Sequence, residues 1–413
     1  MQLVTVRKNS FNDYLQFIDQ KTEIELRYLV ERLKSKRIAM INATSYGGGV
    51  AEKLHSIIPL MKDIGLNVDW WTILGHEEFY KITKAFHNGL QGQEGELLPA
   101  DIDIYLKYNK MNASYMRDWK YDFIVVHDPQ PAALIKYRGK REGEKWIWRC
   151  HIDTSTPNPG YWDFLYQYLL NYDTWIFTMK DFVKEDSDFK NIAYITPSID
   201  PLSPKNITLE IEDAREVMNR FGVDVQRPLI LQVSRFDPWK DPLGVIDVYK
   251  IVKKELPSVQ LALIGSMAGD DPEGWDYLYR TLRRAGEDYD IIIITNFNGI
   301  SNLEVNAFQT ASSLVLQKSI REGFGLTVAE SLWKGTPVIG GNVGGIKLQI
   351  EDGVNGYLVN TVEECAQKAL KLLRNPLIAE EMKEAAKEKV RREFLVTKNI
   401  GDYLRLFYNL SNN

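Results

Sequence analysis

Short apolar runs alternate with amphipathic stretches along most of the chain. Six runs lie in the first half, at residues 37–44, 67–73, 123–128, 145–153, 174–179 and 191–200. Six more follow, at 228–237, 258–265, 290–296, 313–317, 336–341 and 356–359. Runs that are apolar on both faces and separated by helical crossovers are typical of parallel sheets covered by helices. The pattern predicts two α/β domains in tandem.

Three further stretches complete the predicted organisation. Residues 11–36 have the apolar spacing of a helix, and residues 361–408 look helical throughout. Between the two series of strands, residues 197–206 contain three prolines and no strand pattern, which indicates a linker. We therefore expect a first domain at 1–205 and a second at 206–394. Periodicity leaves open whether the last helix, about 395–413, packs back on the first domain.

Composition excludes several classes of protein. The 413 residues are 44% hydrophobic and 26% charged, which fits a globular protein of two domains. A net charge of −5 does not favour a nucleic-acid surface, and no apolar run of about 18 residues indicates a membrane span. The first residues lack the apolar core of a signal peptide. Cys150 and Cys365 have no metal-site spacing, so we expect two free thiols in a cytoplasmic protein.

Glycine-rich turns follow several predicted strands. The sequence TSYGGGVAE at 44–52 places Gly47, Gly48 and Gly49 between a strand and a helix. Amides at a helix N-terminus attract anions, and three glycines are entropically costly for a plain turn. A ligand loop is therefore favoured over a simple turn. A second turn, GGNVGGIKLQI at 340–350, offers the amides of Gly344 and Gly345, and here the two interpretations are balanced.

The most informative stretch is EGFGLTVAE at 322–330. Glu322 is predicted to lie in the loop before a helix, and Glu330 one to two turns inside it. The amides of Gly323, Phe324 and Gly325 would then lie at the positive end of that helix. A first-turn acid that complements the helix dipole would explain Glu322, but neither the small residues nor Glu330.

Charged and imidazole groups also follow predicted strands. In VSRFDPWKDP at 233–242, Arg235 and Lys240 are suited to a diphosphate, although solvated cations are the simpler interpretation of that motif alone. His127 and His151 follow two strands of the first domain, where each is either a ligand contact or a structural histidine. The D-x-D triplet at 101–103 does not follow a clear strand, so we reject it as a metal site.

Taken together in this order, the glycine-rich loop, R-x4-K, E-G-F-G-L-x3-E and G-G resemble the family 4 retaining glycosyltransferases. The resemblance implies the GT-B fold, in which two Rossmann-like domains face a central cleft. More narrowly, INATSYGGGVAE, HDPQP and RCHIDTSTPNP resemble the archaeal members that transfer glucose from a nucleotide-glucose to free glucose, forming trehalose. One departure is that Lys347 and Leu348 stand where many relatives have proline and glutamate.

The resemblance also implies roles for single residues. Glu322, Arg235, Lys240 and His151 would act in catalysis, with the two cations neutralising the diphosphate and Glu322 contacting hydroxyls of the donor sugar. Glu330 would hold the ribose. The remaining donor-binding residues would be Gly48, Gly49, Gly323, Phe324, Gly325, Gly344, Gly345 and His127.

The family mechanism implies retention of configuration, with the acceptor attacking from the face of the leaving group; double displacement through a carboxylate is the second route. No metal ion and no other cofactor is required, since cations and amides carry the charge. The partners are a nucleotide-glucose (ADP- or UDP-glucose) and a sugar acceptor, with no nucleic acid and no membrane; a homodimer is left open. Three alternatives remain: transfer to another acceptor (sucrose-type, glycan or lipid), a nucleotide-sugar epimerase, and a non-catalytic sensor.

Overall fold

The computed structural model describes residues 1–46, 48–185, 187–267 and 272–412. The chain forms two units, each built around one sheet. Unit 1 consists of Met1–Pro197 and Val396–Asn413, and unit 2 of Ser198–Leu395. The boundary thus lies at the start of the proline-rich stretch, whereas the sequence places it between residues 205 and 206.

A seven-stranded sheet with the order β1-β3-β2-β4-β5-β6-β7 organises unit 1. All neighbouring strands are parallel except β1, which pairs antiparallel with β3. The strands are β1 (Gln2–Leu3), β2 (Arg37–Asn42), β3 (Asn67–Thr72), β4 (Phe123–His127), β5 (Lys145–Arg149), β6 (Thr174–Phe177) and β7 (Ile192–Tyr194). The helices are α1 (Gln20–Leu33), α2 (Gly48–Asp63), α3 (Glu77–Leu90), α4 (Pro99–Ser114), α5 (Leu134–Arg138), α6 (Pro159–Leu169) and α15 (Val396–Asn412).

Unit 2 has a six-stranded, fully parallel sheet with the order β10-β9-β8-β11-β12-β13. The strands are β8 (Leu229–Val233), β9 (Gln260–Gly265), β10 (Ile291–Thr295), β11 (Leu314–Gln317), β12 (Val338–Gly341) and β13 (Tyr357–Val359). The helices are α7 (Ile211–Arg220), α8 (Pro242–Glu255), α9 (Pro272–Ala285), α10 (Asn302–Ala311), α11 (Leu326–Lys334), α12 (Ile346–Gln349), α13 (Val362–Arg374) and α14 (Pro376–Glu393).

The two parallel-sheet α/β domains predicted from the apolar runs are confirmed, and burial explains why the runs were visible. Strand β4 is buried at every position and β9 likewise, so neither needs a polar face. Trp146, Trp148 and Trp175 are fully buried in the core of unit 1.

The prediction of one helix at 11–36 was wrong in detail, whereas 361–408 is helical as predicted, apart from two short breaks. Residues 11–36 do not form one helix: a 3-10 segment at Phe11–Phe17 precedes α1, and Asp19 caps α1 by accepting a hydrogen bond from the amide of Thr22. The stretch 361–408 contains three helices, with breaks next to Pro376 and after Glu393. Asp19 as an N-cap and Pro376 as a first helical residue each start a new helix inside a continuous apolar pattern.

Strand order places one switch point in each sheet. In unit 1 the chain moves from β2 to β3 on one side and to β4 on the other. In unit 2 it moves from β8 to β9 on one side and to β11 on the other. Ligands of open α/β sheets bind beyond the carboxyl ends of strands at such points. Among the residues that the structure describes, every helix is too short or too polar to cross a lipid bilayer.

Candidate functional site

The switch point of unit 2 brings together a cation and a carboxylate from two separate motifs. Strands β8 and β11 are neighbours, so the turns that follow them meet at the same sheet edge. Lys240 lies in a 3-10 turn after β8, and Glu322 lies in the loop between β11 and α11. The Lys240 Nζ atom is 2.5 Å from Glu322 Oε2. This ion pair is the centre of the candidate site.

Glu322 is held in its ionised form by these surroundings. Its side chain is 9% exposed, and burial alone would raise the pKa of a carboxyl group. The ammonium of Lys240 and hydrogen bonds from Lys240, Ser319 and Gln317 outweigh burial and keep the pKa of Glu322 below its ordinary value. A fixed negative charge therefore lies beside a fixed positive one at the end of β11.

Arg235 belongs to the same turn but is not part of the pair. Its side chain is 61% exposed, and its guanidinium contacts Asp237 at 3.0 Å. Asp237 also accepts a hydrogen bond from the amide of Lys240, which ties the turn together. The structure therefore leaves Arg235 at the surface, while Lys240 points inward.

The two glycine turns of unit 2 pack directly on one another. Gly325 has φ +80° and precedes α11, a conformation that glycine adopts without strain. A Cβ atom on Gly345 would lie 2.5 Å from the Cα of Phe324 and 2.6 Å from the carbonyl oxygen of Gly323. The amide of Gly345 also donates to the backbone carbonyl of Glu322. Gly345 is therefore required by close packing, and Gly344, with φ +45°, precedes it in the same turn.

Glu330 lies on the buried face of α11. Its side chain is 3% exposed; Oε2 accepts a hydrogen bond from Gln309 at 3.0 Å, and Oε1 lies 3.5 Å from the ammonium of Lys205. Lys334 donates to the carbonyl oxygen of Glu330, and burial lowers the pKa of Lys334 to about 7. The carboxylate thus has protein partners on both oxygens.

In unit 1, the loop after β2 is anchored at its start. Asn42 accepts a hydrogen bond from the indole of Trp70 and donates to the carbonyl of Thr44, whose hydroxyl bonds the backbone of Tyr46. Helix α2 begins at Gly48 with φ +74°, and Gly49 follows in its first turn. Gly47 lies outside the described residues.

His127 and His151 lie at strand ends, as predicted, and the sheet order makes them neighbours. Strands β4 and β5 pair in parallel, and His127 Nδ1 lies 3.0 Å from His151 Nε2. The other ring nitrogen of His151 lies 2.9 Å from the Nζ atom of Lys53 on α2. Both nitrogens of His151 are therefore engaged within unit 1.

Metal-binding groups are not apparent in the described ranges, where no three His, Cys, Asp or Glu side chains cluster suitably. The D-x-D triplet lies within helix α4. Cys150 and Cys365 are free and buried.

Sequence reasoning missed several residues of these sites. Gln317 and Ser319 donate to Glu322, and Lys318 pairs with Asp241 at 2.5 Å. Their position at the end of β11, directly before Glu322, was the available signal. Lys53 was missed because a lysine in an amphipathic helix is ordinarily a solvated surface residue.

Comparisons with known proteins agree with this architecture. The family model described as trehalose synthase, N-terminal domain, matches residues 40–184, and the model for glycosyl transferases group 1 matches residues 213–389. A sucrose-phosphate synthase structure from Thermosynechococcus elongatus superposes with a TM-score of 0.73 at 16% identity, covering 91% of this chain and 99% of that chain. This likeness supports the fold, and the predicted GT-B class is confirmed.

Sequence relatives extend over nearly the whole chain. The trehalose synthase of Rubrobacter xylanophilus is 49% identical over 413 residues, which is 99% of both chains. That of Thermococcus litoralis is 49% identical over 395 residues, or 95% of both chains. The resemblance seen in the motifs is confirmed, and the chain belongs to the trehalose synthase family of GT-B glycosyltransferases.

Proposed function

We propose that this protein is a retaining glucosyltransferase that moves glucose from a nucleoside diphosphate glucose to free glucose, forming trehalose. The observation that carries the proposal is the 49% identity with a trehalose synthase over 99% of both chains. Identity of that extent covers both units, and therefore both the donor and the acceptor determinants.

Unit 2 would bind the donor through the switch point of its sheet. The Lys240 ammonium has three N–H donors, so it can keep its contact with Glu322 and still bind a phosphate oxygen. Arg235 is exposed, and its guanidinium would exchange the contact with Asp237 for the second phosphate. The amides of Gly323, Phe324 and Gly325 precede α11, where the helix dipole favours negative charge.

The remaining predicted residues would complete donor recognition. Glu322 would accept hydrogen bonds from sugar hydroxyls, and Glu330 would accept from the ribose once its contact with Lys205 loosens. Gly344 and Gly345 would position the loop of Glu322. From unit 1, Gly48 and Gly49 would offer amides, and His127 and His151 would lie near the sugar.

The reaction breaks the bond between the anomeric carbon of glucose and a diphosphate oxygen. Negative charge develops on that oxygen as it leaves, and preorganised cations and amides stabilise it without reorganising. The acceptor hydroxyl would attack from the same face, with a diphosphate oxygen taking its proton, so configuration is retained. Protein groups supply the positive charge in this scheme, which is why we propose that no metal ion is needed.

The decisive experiment supplies ADP-, UDP- and GDP-glucose, with glucose 1-phosphate as a donor lacking a nucleotide, to glucose and to other acceptors. We expect trehalose from glucose and at least one nucleotide-glucose, with the anomeric configuration of the donor preserved in the NMR coupling of the product. An epimerised nucleotide sugar without acceptor, or a product only from another acceptor, would refute the proposal.

Metal independence has its own test. Transfer should proceed at an unchanged rate after dialysis against a chelator, because Lys240, Arg235 and backbone amides would neutralise the diphosphate. A large loss of rate that added Mg²⁺ or Mn²⁺ restores would show that a cation participates. We also propose a cytoplasmic setting, with which the two free cysteines agree.

A further inference from the structure

Three side chains of unit 1 form a hydrogen-bonded row, here called the relay: Lys53, His151 and His127. Lys53 Nζ lies 2.9 Å from His151 Nδ1, and His151 Nε2 lies 3.0 Å from His127 Nδ1. The far nitrogen, His127 Nε2, is buried and has no hydrogen-bond partner among the described residues. The three groups come from α2, the end of β4 and the loop after β5.

Both imidazoles of the relay are neutral at physiological pH. Burial, together with the nearby charges of Arg149 and Lys53, lowers the pKa of His127 and of His151 well below the ordinary value. A neutral imidazole has one N–H donor and one acceptor nitrogen. Each histidine of the row must therefore donate on one side and accept on the other.

The charge of Lys53 decides the direction of the row. A protonated ammonium has no lone pair and can only donate, so His151 Nδ1 must accept, His151 Nε2–H must donate to His127 Nδ1, and His127 carries its proton on Nε2. A neutral Lys53 can also accept, which allows the opposite direction. In that change one proton passes from Lys53 to His151, one passes from His151 to His127, and one leaves His127 Nε2.

We propose that Lys53 is a positioning residue that fixes which ring nitrogen of His151 carries the proton. Its relevance to catalysis rests on the proposed function, in which His151 lies near the donor sugar; its effect on the tautomer does not. Lys53 acts through His151 and makes no contact with substrate in this scheme.

The far end of the row can accommodate either direction. A cavity of about 10 Å³, enough for one water molecule, adjoins the relay. Two of its lining residues have polar atoms without a partner among the described residues: the acceptor Asn399 Oδ1 and the donors Arg149 Nε and Nη1. The polar groups that line it are Lys53, His127, Arg149, His151, Asn399 and Tyr403.

The hydrogen bonds of the relay are expected to reverse direction near neutral pH. Burial and the charge of Arg149, partly offset by Asp128 and Glu52, lower the pKa of Lys53 to about 7. Below that pH Lys53 can only donate, and above it the neutral amine can also accept. The surrounding charged and titratable groups are Glu52 on α2, Asp128 after β4, Arg149 on β5 and Tyr403 on α15. Of these, Asp128 has a pKa that burial raises to about 6.

The test is side-chain NMR of the 413-residue chain labelled with ¹⁵N-histidine, whose five histidines keep the spectrum simple. In the wild type we expect His151 and His127 to carry their protons on Nε2 at pH 6, and both tautomers to change together with a midpoint near 7. In Lys53→Arg the charge persists, so the low-pH tautomers should remain up to pH 8.5. In Lys53→Met, which has no amine to titrate, the change of tautomer near pH 7 should be lost.

The two variants separate the relay from its neighbours. Asp128 is intact in Lys53→Arg, so a step caused by Asp128 would survive in that variant and overturn the inference. Identical tautomers at every pH in wild type, Lys53→Arg and Lys53→Met would overturn it as well. If Lys53→Met fails to fold, the comparison of wild type with Lys53→Arg still decides whether Lys53 sets the tautomer of His151.

A kinetic measurement then links the relay to transfer. The pH profile of kcat should contain a step near 7 that Lys53→Arg removes, with KM for the nucleotide-glucose unchanged. A kcat step that persists in Lys53→Arg would overturn the link to transfer. Absence of transfer with every nucleotide-glucose would refute the proposed function, while the NMR result would still decide whether Lys53 sets the tautomer.

Discussion

Glu322 illustrates how single residues of this chain obtain their properties from distant parts of the sequence. It is nearly buried, yet its pKa stays below the ordinary value, because Lys240, 82 positions away, contributes an ammonium 2.5 Å from its carboxylate. A buried ion pair is costly to break, since the remaining charge keeps its desolvation penalty. Lys240 is therefore expected to serve both the stability of unit 2 and the proposed chemistry.

Replacing Lys240 by methionine should reveal both roles. We expect transfer to fall by ~10²–10³ and unit 2 to lose about 3 kcal/mol of unfolding free energy at pH 8. In the wild type, the lowered pKa of Glu322 contributes stability above its ordinary value of 4.5, and this is lost as the pH falls through the folded pKa. In the variant, burial would raise the pKa of Glu322, so the carboxyl group would become protonated at pH 5. The variant should therefore lose less unfolding free energy at pH 5 than at pH 8.

Urea unfolding at the two pH values measures this difference. Arg235→Met is the matched control: its side chain is exposed, so it should reduce transfer without moving the urea midpoint. An equal loss of stability at pH 5 and pH 8 in Lys240→Met would contradict the account of Glu322.

Glu330 calls for a conservative substitution, because its buried carboxylate already contacts Gln309 and Lys205. Glu330→Gln preserves volume but removes the charge that would accept from a ribose. We expect the dissociation constant of a nucleoside diphosphate to rise about tenfold, equivalent to about 1.4 kcal/mol, with kcat changing less. Calorimetry measures the affinity, and thermal unfolding of the same variant checks the fold. An unchanged affinity would exclude Glu330 from the ribose site.

The motifs predicted which residues to consider, but not which would touch. Spacing placed Glu322 before a helix and Glu330 inside it, as the structure has them. The contact between Lys240 and Glu322 depends on β8 lying beside β11, a pairing that crosses two intervening strands in sequence. The row formed by Lys53 and the two histidines depends likewise on the order of β2, β4 and β5. Such contacts arise from sheet order, which local sequence does not encode.

At the scale of elements, the two glycine turns of unit 2 act as one packed layer. Gly345 has φ −69°, which alanine adopts freely, so only the clash with the backbone of residues 323–324 opposes a side chain there. Gly345→Ala should therefore displace the loop that carries Glu322 and lower both nucleotide affinity and transfer, measured by calorimetry and product formation.

Gly353→Ala is the matched control for that substitution. Gly353 has φ +78° with open space around a Cβ atom, so alanine there is strained but displaces nothing. It should lower stability by about 1 kcal/mol and leave nucleotide affinity intact. Equal affinities in the two variants would show that packing against Gly345 does not position the Glu322 loop.

Strands were more predictable than helix ends. Runs that are apolar on both faces coincide with parallel strands, of which β4 and β9 are buried throughout, whereas β1 has two residues and no such run. Helix boundaries depend on single capping residues, such as Asp19 before α1. The spacing of apolar residues by three and four positions does not reveal these caps. The run at 145–153 also extended beyond its strand, since β5 ends at Arg149 and the buried loop after it is apolar for tertiary reasons.

At the scale of the whole molecule, the chain returns at its C-terminus to the unit in which it began. Helix α15 packs on α1, where Arg405 forms a two-pronged contact with Glu25, and on the sheet, where Phe407 lies 4.8 Å from Phe123 by ring centroids. The exposed ion pair contributes little, so the buried aromatic contact should carry most of the attachment.

Phe407→Ala tests that attachment. Phe407 is fully buried, so its truncation should lower the unfolding free energy of unit 1 by about 3–5 kcal/mol. Most of the ten tryptophans belong to unit 1, so urea unfolding followed by tryptophan fluorescence reports mainly on that unit. Leu377→Ala, at a side chain that is 78% exposed in unit 2, should leave the midpoint unchanged. If the two variants unfold at the same urea concentration, α15 is not an integral part of unit 1. The packing of this helix on α1 and on the sheet would then contribute nothing to the stability of the unit.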